Sequence, residues 1–253
     1  MNLPAPGVPS DPPPTGSRRR PRRALAAILA AVCCLAVAIV AGTATHAELA
    51  RKPTPAEMSA AAAAAVVERW RSWPAGRIFP AVLGYTTQLL TQEAARRVGI
   101  APQSACPAGL DVALRGLAAR GGCQAVLRAT YVDQLQGIVY TIGVVAFASG
   151  RGAAAFERGL PRGQSGVSGL RALAFPGTAS AAFNDGARQA STAQGQGPYV
   201  LLTTAGYADG RPARATRQSR GSIFAPAAQL AAGIIGPLTA PAQVDCRSPL
   251  WSC

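Results

Sequence analysis

Residues able to do acid–base or nucleophilic chemistry are scarce in this chain. The only histidine is His46 and the only lysine is Lys52, and both lie beside a long uncharged apolar run. A Ser-His-Asp, Cys-His or Ser-Lys site elsewhere in the chain would therefore lack its base. Gly163–Val167 (GQSGV) departs from the nucleophile-elbow pattern G-x-S-x-G at its fifth position, and no phosphate-binding GxxxxGK[ST] sequence occurs. The sequence predicts no catalytic residue of these classes.

One glycine motif resembles a nucleotide-binding fingerprint. Gly150–Ala155 (GRGAAA) matches G-x-G-x-x-A, follows a predicted strand and opens a predicted helix. However, that strand reads as half of an antiparallel hairpin, and no acidic residue lies near position 175 to hold a ribose. A tight strand-to-helix turn explains the glycines better, and we expect no bound cofactor.

Three carboxylates lie where catalytic acids can occur. Asp133, Asp185 and Asp209 fall at the ends of predicted strands or in loops. Nothing in the sequence brings two of them together. We expect each to act as a turn or cap residue, with a carboxylate-only hydrolase as an alternative.

Four cysteines follow the apolar run: Cys106, Cys123, Cys246 and Cys253. An even number predicts two disulfides in an oxidising compartment, with three possible pairings. We favour the local pairs 106–123 and 246–253. The first requires the chain to fold back at residues 121–122, because the intervening helix is ~15 Å long whereas bridged Cα atoms lie within about 7 Å. There is no C-x-x-C and no neighbouring histidine, so no metal or redox site is predicted.

The apolar run itself predicts a membrane crossing. Ala24–Ala41 carries no charge, and a helix of that length spans roughly 27 Å, close to the thickness of a bilayer core. Five arginines between positions 18 and 23 precede it, which predicts a cytoplasmic N-terminus. A signal peptide cleaved near Gly42 and Ala44 is the alternative. We expect a single-pass protein of the cell membrane with the bulk of the chain extracytoplasmic.

The rest of the chain divides by composition. Residues 1–23 form a basic, proline-rich cytoplasmic tail, 24–46 the transmembrane helix, 47–76 a juxtamembrane helix, and 77–253 one extracytoplasmic domain.

The charge balance bears on partners. The chain has a net charge of +14, and from Glu48 onward 20 Arg and Lys residues face 10 Asp and Glu. A basic surface favours an anionic envelope component such as lipid head groups or acidic wall polymers. A GC-rich genome would also produce this arginine excess. Nucleic acid is not expected, because basic and aromatic residues are not interleaved.

Periodicity and turn residues predict the elements of the outer domain. Thr54 and Glu57 form a capping box that starts a helix over 55–73, with Trp70 and Trp73 packed on the domain. Two hairpins are predicted, over 124–147 and over 187–208. A short edge strand over 77–87, helices over 91–98, 110–120, 150–160 and 223–235, and a strand over 170–175 complete the order. These elements predict an α+β fold with a mainly antiparallel sheet and helices packed on one face.

Three segments carry a resemblance. Glu68–Pro80 (ERWRSWPAGRIFP), Leu127–Tyr131 (LRATY) and Ala205–Gly210 (AGYADG) resemble uncharacterised membrane-anchored proteins of actinobacteria. The resemblance implies an envelope location and no particular activity.

Together these observations lead to one functional expectation and two alternatives. We expect non-catalytic binding or sensing at the cell envelope. The alternatives are an accessory subunit of a membrane complex, docked through the helix at 55–73, and the carboxylate-dependent envelope hydrolase.

Overall fold

The computed structural model describes residues 20–161, 169–212, 223–243 and 245. The chain divides into two compact units, one ending at Pro53 and the other starting at Thr54. The first unit contains helix α1, Arg20–Ala50. Its stretch Leu25–Ala47 has a mean hydropathy of 2.8 and is exposed throughout, and it is the one helix among the described residues that is long and apolar enough to cross a membrane.

The second unit contains the other six helices and six strands of the described chain. Its helices are α2 (Pro55–Ser72), α3 (Ala75–Ile78), α4 (Cys106–Gly109), α5 (Val112–Arg120), α6 (Gly150–Arg158) and α7 (Pro226–Thr239). Its strands are β1 (Val82–Thr86), β2 (Gln92–Ile100), β3 (Cys123–Val132), β4 (Ile138–Phe147), β5 (Arg188–Gln196) and β6 (Tyr199–Tyr207).

The strands form one antiparallel sheet in the order β1-β2-β3-β4-β6-β5, which confirms the predicted α+β class. Both predicted hairpins, β3–β4 and β5–β6, are present. The β5–β6 turn contains Gly197 at φ 58°, a conformation that glycine adopts without steric cost.

The sheet curls around α7. This helix contacts β6 and also β1 and β5, the two edge strands, so it lies in the concave face. Side chains of α7 such as Leu230, Ile234 and Leu238 pack with three fully buried tyrosines of that face, Tyr131, Tyr140 and Tyr199. The apolar side chains of the 14-residue helix therefore hold the two edges of the sheet together.

Helices cover the opposite, convex face as well, which corrects the expectation of helices on one face only. Leu114 of α5 and Phe156 of α6 pack there with Val145 and Phe147 of β4. Consecutive residues of β4 are buried on opposite faces, because strand side chains alternate. A sheet covered on both sides produces a near-continuous apolar strand, and β4 has that composition.

The helix predicted over 91–98 is wrong, because these residues form β2. The segment contains good helix formers, but it pairs with β1 through Tyr85↔Glu93 and with β3 through Arg96↔Val132. Ladder hydrogen bonds on both sides outweigh a helix propensity of a few tenths of a kcal/mol per residue, roughly the spread among ordinary residues.

The strand predicted over 170–175 is also wrong, apart from an isolated bridge between Leu110 and Leu170. The segment crosses the convex face and bonds to side chains instead of a neighbouring strand. The Thr130 hydroxyl donates to the Leu173 carbonyl (2.6 Å), and the Leu173 amide donates to the Thr141 hydroxyl (3.2 Å). Leu170 lies directly over Gly143, where a Cβ would come within 2.3 Å of it.

Two predicted elements have shifted bounds. The edge strand predicted over 77–87 starts only at Val82, because Ala75–Ile78 form the one-turn helix α3. The last helix, predicted over 223–235, starts at Pro226 and continues to Thr239, with Pro237 inside its last turn.

Helix α2 begins as predicted. The Glu57 amide donates to the Thr54 hydroxyl, and the Thr54 amide donates to the Glu57 carboxylate, which completes the capping box. At its other end, Trp70 and Trp73 pack against the core of the concave face, which confirms their predicted role. The buried Tyr199 hydroxyl donates to the carbonyl of Val66 (2.6 Å).

Arg69 ties α2 to the C-terminus of α7. Its Nη1 donates to the carbonyls of Leu238 (2.9 Å), Ala240 (2.5 Å) and Pro237 (3.3 Å). The last carbonyls of a helix have no partner within the helix and carry its partial negative charge, so a guanidinium stabilises them.

The predicted Cys106–Cys123 disulfide is present, with Cα atoms 6.5 Å apart. The chain turns back before Cys123 at Gly122, whose φ of +75° favours glycine. The second predicted pair, Cys246 and Cys253, lies outside the described residues.

Candidate functional site

A cleft of about 390 Å³ opens at the end of the curled sheet where α7 begins. Its walls come from the β1–β2 hairpin, the β3–β4 hairpin and the first turn of α7. The cleft is lined by Tyr85, Thr86, Thr87, Gln88, Leu89, Glu93, Asp133, Ile138, Tyr140, Ile223, Ala225, Pro226 and Gln229. Its size falls in the range of small-molecule sites, roughly 300–1,000 Å³.

Hydrogen bonds between β1, β2 and α7 hold one wall in place. Gln229 accepts from the Thr86 amide (2.8 Å) and donates to the Thr86 carbonyl (2.9 Å), so α7 continues the bonding of the edge strand. The Tyr85 hydroxyl donates to Glu93 Oε2 (2.7 Å). The pKa of Tyr85 is raised above its ordinary value, mainly by burial and to a lesser extent by this hydrogen bond, so the hydroxyl stays protonated. Glu93 Oε1 keeps its acceptor capacity.

Asp133 lies at the opposite wall, where β3 turns into β4. Its Oδ1 accepts from the amides of Gly137 (2.7 Å) and Ile138 (2.8 Å), which is the predicted turn role. Its Oδ2 has no hydrogen-bond partner within the described parts of the chain. The same carboxylate can therefore close the turn and still accept from a group in the cleft.

Tyr140 also lines the cleft. Its side chain is fully buried in the domain, yet its hydroxyl has no hydrogen-bond partner among the described residues. The other buried tyrosines of the concave face do have partners: Tyr85 bonds to Glu93, Tyr131 to the Pro80 carbonyl and Tyr199 to the Val66 carbonyl. Burial, then the nearby Asp133 and Glu93 charges, raise the pKa of Tyr140. This hydroxyl is therefore available for a hydrogen bond to a ligand or a water molecule in the cleft.

The charge of the cleft is opposite to that of the chain. Glu93 and Asp133 are the only charged residues among the described ones that line it, whereas the chain carries a net charge of +14. The N-terminus of α7 adds a partial positive charge of roughly +0.5, which two carboxylates exceed. The cleft is thus an acidic site on a basic protein.

Exposed leucines stand at the tips of the two hairpins that border the cleft. Leu89 and Leu90 in the β1–β2 turn are 86% and 83% exposed, and Leu135 in the β3–β4 turn is 86% exposed. Leu90 also has φ 60°, a conformation in which a bulky residue is strained. Of these three leucines, Leu89 lines the cleft and can contact an apolar group of a ligand.

The structure separates the three aspartates considered from the sequence, because Asp133 alone lines the cleft. Asp185 accepts from the amide of Ala172 (2.7 Å) and pairs with Arg171 (3.1 Å). Asp209 is exposed and pairs with Arg211, which lowers its pKa. Neither arrangement presents a pair of carboxylates to a common substrate.

The glycine motif has a packing role. The Ser149 hydroxyl accepts from the Gly152 amide (3.2 Å) and caps α6. A Cβ on Gly152 would lie 2.1 Å from the Gly121 carbonyl oxygen, so the α5–β3 turn packs directly against the start of α6 and occupies the space where a phosphate would bind. This confirms the strand-to-helix turn, and the GQSGV segment lies outside the described residues.

Among the described residues, no three His, Cys, Asp or Glu side chains are grouped to hold a metal ion. The cleft's two carboxylates are therefore not part of such a group.

Sequence reasoning singled out Asp133 but missed Tyr85, Glu93 and Tyr140. Glu93 could not be assigned to the site from the sequence, because its segment was predicted as a helix and its position opposite Tyr85 on the neighbouring strand was therefore not expected. One signal was available, since the spacing of Asp133 and Tyr140 across a short turn places both near one end of a hairpin.

No protein-family profile matches the chain, and neither do any curated proteins or solved structures.

Proposed function

We propose that this chain is a single-pass membrane protein whose extracytoplasmic domain binds a small ligand in the cleft without catalysis. The observation that carries the proposal is the hydroxyl of Tyr140, a buried side chain that lines a preformed cleft and has no hydrogen-bond partner among the described residues. The spare carboxylate oxygens of Glu93 and Asp133 support the same conclusion. The one histidine in the sequence, His46, belongs to α1, which argues against imidazole-based catalysis in the cleft.

The membrane part of the proposal rests on α1 and on the disulfide. A helix of this hydropathy is suited to a bilayer core, and the arginines before it favour a cytoplasmic N-terminus. The Cys106–Cys123 bond suits an oxidising compartment. The resemblance to actinobacterial membrane-anchored proteins is in keeping with this location.

Topology can be tested by labelling intact cells. In Leu135→Cys, the new thiol lies on an exposed turn and should react with a membrane-impermeant maleimide without lysis. In Ser17→Cys, the thiol precedes the apolar helix and should react only after lysis. The reverse pattern, or release of the domain into the medium, would contradict a retained anchor.

Ligand binding can be tested by blocking the cleft. Ala225 is exposed and lines it, so Ala225→Trp fills the space, whereas Ala228→Trp puts the same bulk on the exposed side of α7 outside the cleft. We expect native mass spectrometry of the full-length protein, gently solubilised from its own membranes, to show a small-molecule adduct. The adduct should persist in Ala228→Trp and disappear in Ala225→Trp. No adduct in the wild type, or an adduct unaffected by Ala225→Trp, would count against the proposal.

A second candidate function, an accessory subunit of a membrane complex, is favoured by the surface of α2. Its middle turns expose Ala60, Ala61, Ala63 and Ala64, small residues that allow another helix to approach closely. A stoichiometric partner that cross-links to the wild type but not to Ala64→Arg would support this function. Recovery of the protein alone would favour the ligand-binding function.

The basic surface supports a further part of the proposal, an anionic envelope component as partner. Exposed arginines outside the cleft, such as Arg96, Arg120 and Arg151, would contact it. Salt-sensitive sedimentation of the full-length protein in nanodiscs with vesicles of anionic lipid would test this contact.

A further inference from the structure

The chemistry of the cleft identifies the class of ligand, an inference that rests on the proposed ligand-binding function. Among the described residues, both charged side chains that line it are negative. A negatively charged ligand would face Glu93 and Asp133 at short range with no compensating arginine or lysine in the described part of the lining, which is unfavourable in a partly buried site. The ligand's charge must therefore be positive or absent.

The acceptor oxygens favour a positive charge. Glu93 Oε2 and Asp133 Oδ1 are used within the protein, and each carboxylate keeps a second oxygen. The Tyr140 hydroxyl can accept a third hydrogen bond. An ammonium group has three donors and no acceptor, which matches the number of available oxygens. Hydrogen bonds between ionised partners are about twice as strong as neutral ones.

The remaining walls indicate an organic cation. No third carboxylate, histidine or cysteine joins the pair among the described residues, so the donor set of a metal site is incomplete. Leu89, Ile138 and Ile223 supply apolar surface for a carbon substituent.

We infer that the cleft binds a small organic ammonium ion, with its charged group between Glu93, Asp133 and the Tyr140 hydroxyl and its apolar substituent against the leucine and isoleucine side chains. The preformed walls position the ligand without a large rearrangement, because Gln229 and Asp133 already fix the two hairpins.

The test compares three probes of one shape and different charge by titration calorimetry on the full-length protein in detergent. The probes are 2-phenylethylamine, the neutral 2-phenylethanol and the anionic 3-phenylpropionate. We expect saturable binding of the amine, at least 10-fold weaker binding of the alcohol and none of the carboxylate. Raising the salt concentration should weaken binding of the amine.

Variants connect the binding to the named groups. Glu93→Gln and Asp133→Asn remove one charge each and keep the shape, and Asp133→Asn keeps the oxygen that closes the turn. Each should weaken binding of the amine about 10-fold, while Tyr140→Phe should weaken it several-fold. Asp209→Asn, which removes an exposed carboxylate outside the cleft, is the control and should change nothing.

The outcomes separate the two levels of the argument. If the alcohol or the carboxylate binds as well as the amine and Ala225→Trp abolishes binding, the cleft is a ligand site and the inference about charge is wrong. If the amine binds equally to the wild type, Glu93→Gln and Asp133→Asn, the assigned groups are wrong. If no probe binds, the inference is overturned, whereas the ligand-binding function is judged by the native adduct and its loss in Ala225→Trp.

Discussion

Replacing Arg69 with methionine should destabilise the outer domain, because this residue joins the first and last helices of the second unit. The buried guanidinium donates to three carbonyls at the end of α7 and lies 4.8 Å from the centre of the Trp73 ring. Arg69→Met keeps the apolar stem of the side chain and removes all of these polar contacts. It leaves the carbonyls of Leu238 and Ala240 without their donor.

The expected loss is a balance of three terms. A hydrogen bond from a charged group contributes about 1.5–3 kcal/mol, and the three bonds here share one nitrogen and do not add. A cation at a helix C-terminus adds about 0.3–1 kcal/mol. Burial opposes both, since it lowers the pKa of Arg69 and thus disfavours its charge. We expect Arg69→Met to lower the free energy of unfolding by ~2–3 kcal/mol, equivalent to about 5–10 °C in melting temperature for a domain of this size.

Urea unfolding of the full-length protein in detergent, followed by tryptophan fluorescence, measures this loss. Arg71→Met is the matched control on the same helix, because Arg71 is 62% exposed and pairs with Glu68 at the surface. It should cost less than about 0.5 kcal/mol. Hydrogen exchange should accelerate in the last turn of α7 in Arg69→Met alone. A loss under about 0.5 kcal/mol for Arg69→Met, or equal losses for both variants, would refute the assigned role.

Three more predictions address other parts of the fold. Replacing both Cys106 and Cys123 with serine opens a loop closed across 17 positions. It should lower the free energy of unfolding, measured in urea, by ~3 kcal/mol, and reducing agent should produce a similar decrease in the wild type. Gly152→Ala should lower the free energy of unfolding by about 2 kcal/mol or more, because the new Cβ would meet the backbone oxygen of Gly121. In Gly116→Ala, within α5, the new Cβ meets only the end of an arginine side chain, and the free energy of unfolding should rise by up to about 1 kcal/mol. Burial raises the pKa of Tyr199 to about 12. The stability that its protonated hydroxyl contributes is therefore complete below pH ~10, where the unfolded chain also keeps the proton, and is lost as the pH rises through 12. Tyr199→Phe should flatten that alkaline decline in melting temperature, and an unchanged slope would show that other groups cause it.

Local signals in the sequence were sufficient for elements whose start and end are encoded by neighbouring residues. Thr54 and Glu57 specify the start of α2 without help from the rest of the chain, and the β3–β4 hairpin follows from β-branched residues around one turn. The Cys106–Cys123 pair was likewise reachable, because only a short helix and a glycine turn separate the two residues.

Long-range contacts decided the rest. The residues of β2 prefer a helix in isolation and become a strand because two neighbouring strands accept their hydrogen bonds. The Leu173 carbonyl accepts from the Thr130 hydroxyl and the Leu173 amide donates to the Thr141 hydroxyl, and sequence periodicity does not predict that these residues meet. The cleft depends on the same kind of contact, because Tyr85, Asp133 and Gln229 come together only after the sheet has curled around α7.

The position of α7 in the chain has a consequence for biosynthesis. This helix joins both edges of the sheet, yet it is the last of the described helices to be made. Until synthesis has passed Thr239, the concave face lacks α7, and among the helices made earlier α2 and α3 pack on part of it. Contacts between distant parts of a chain form slowly, and exposed apolar surface favours aggregation in the interval. The walls of the cleft are therefore complete only after Gln229 has been made, and the remaining apolar surface of the concave face is covered last.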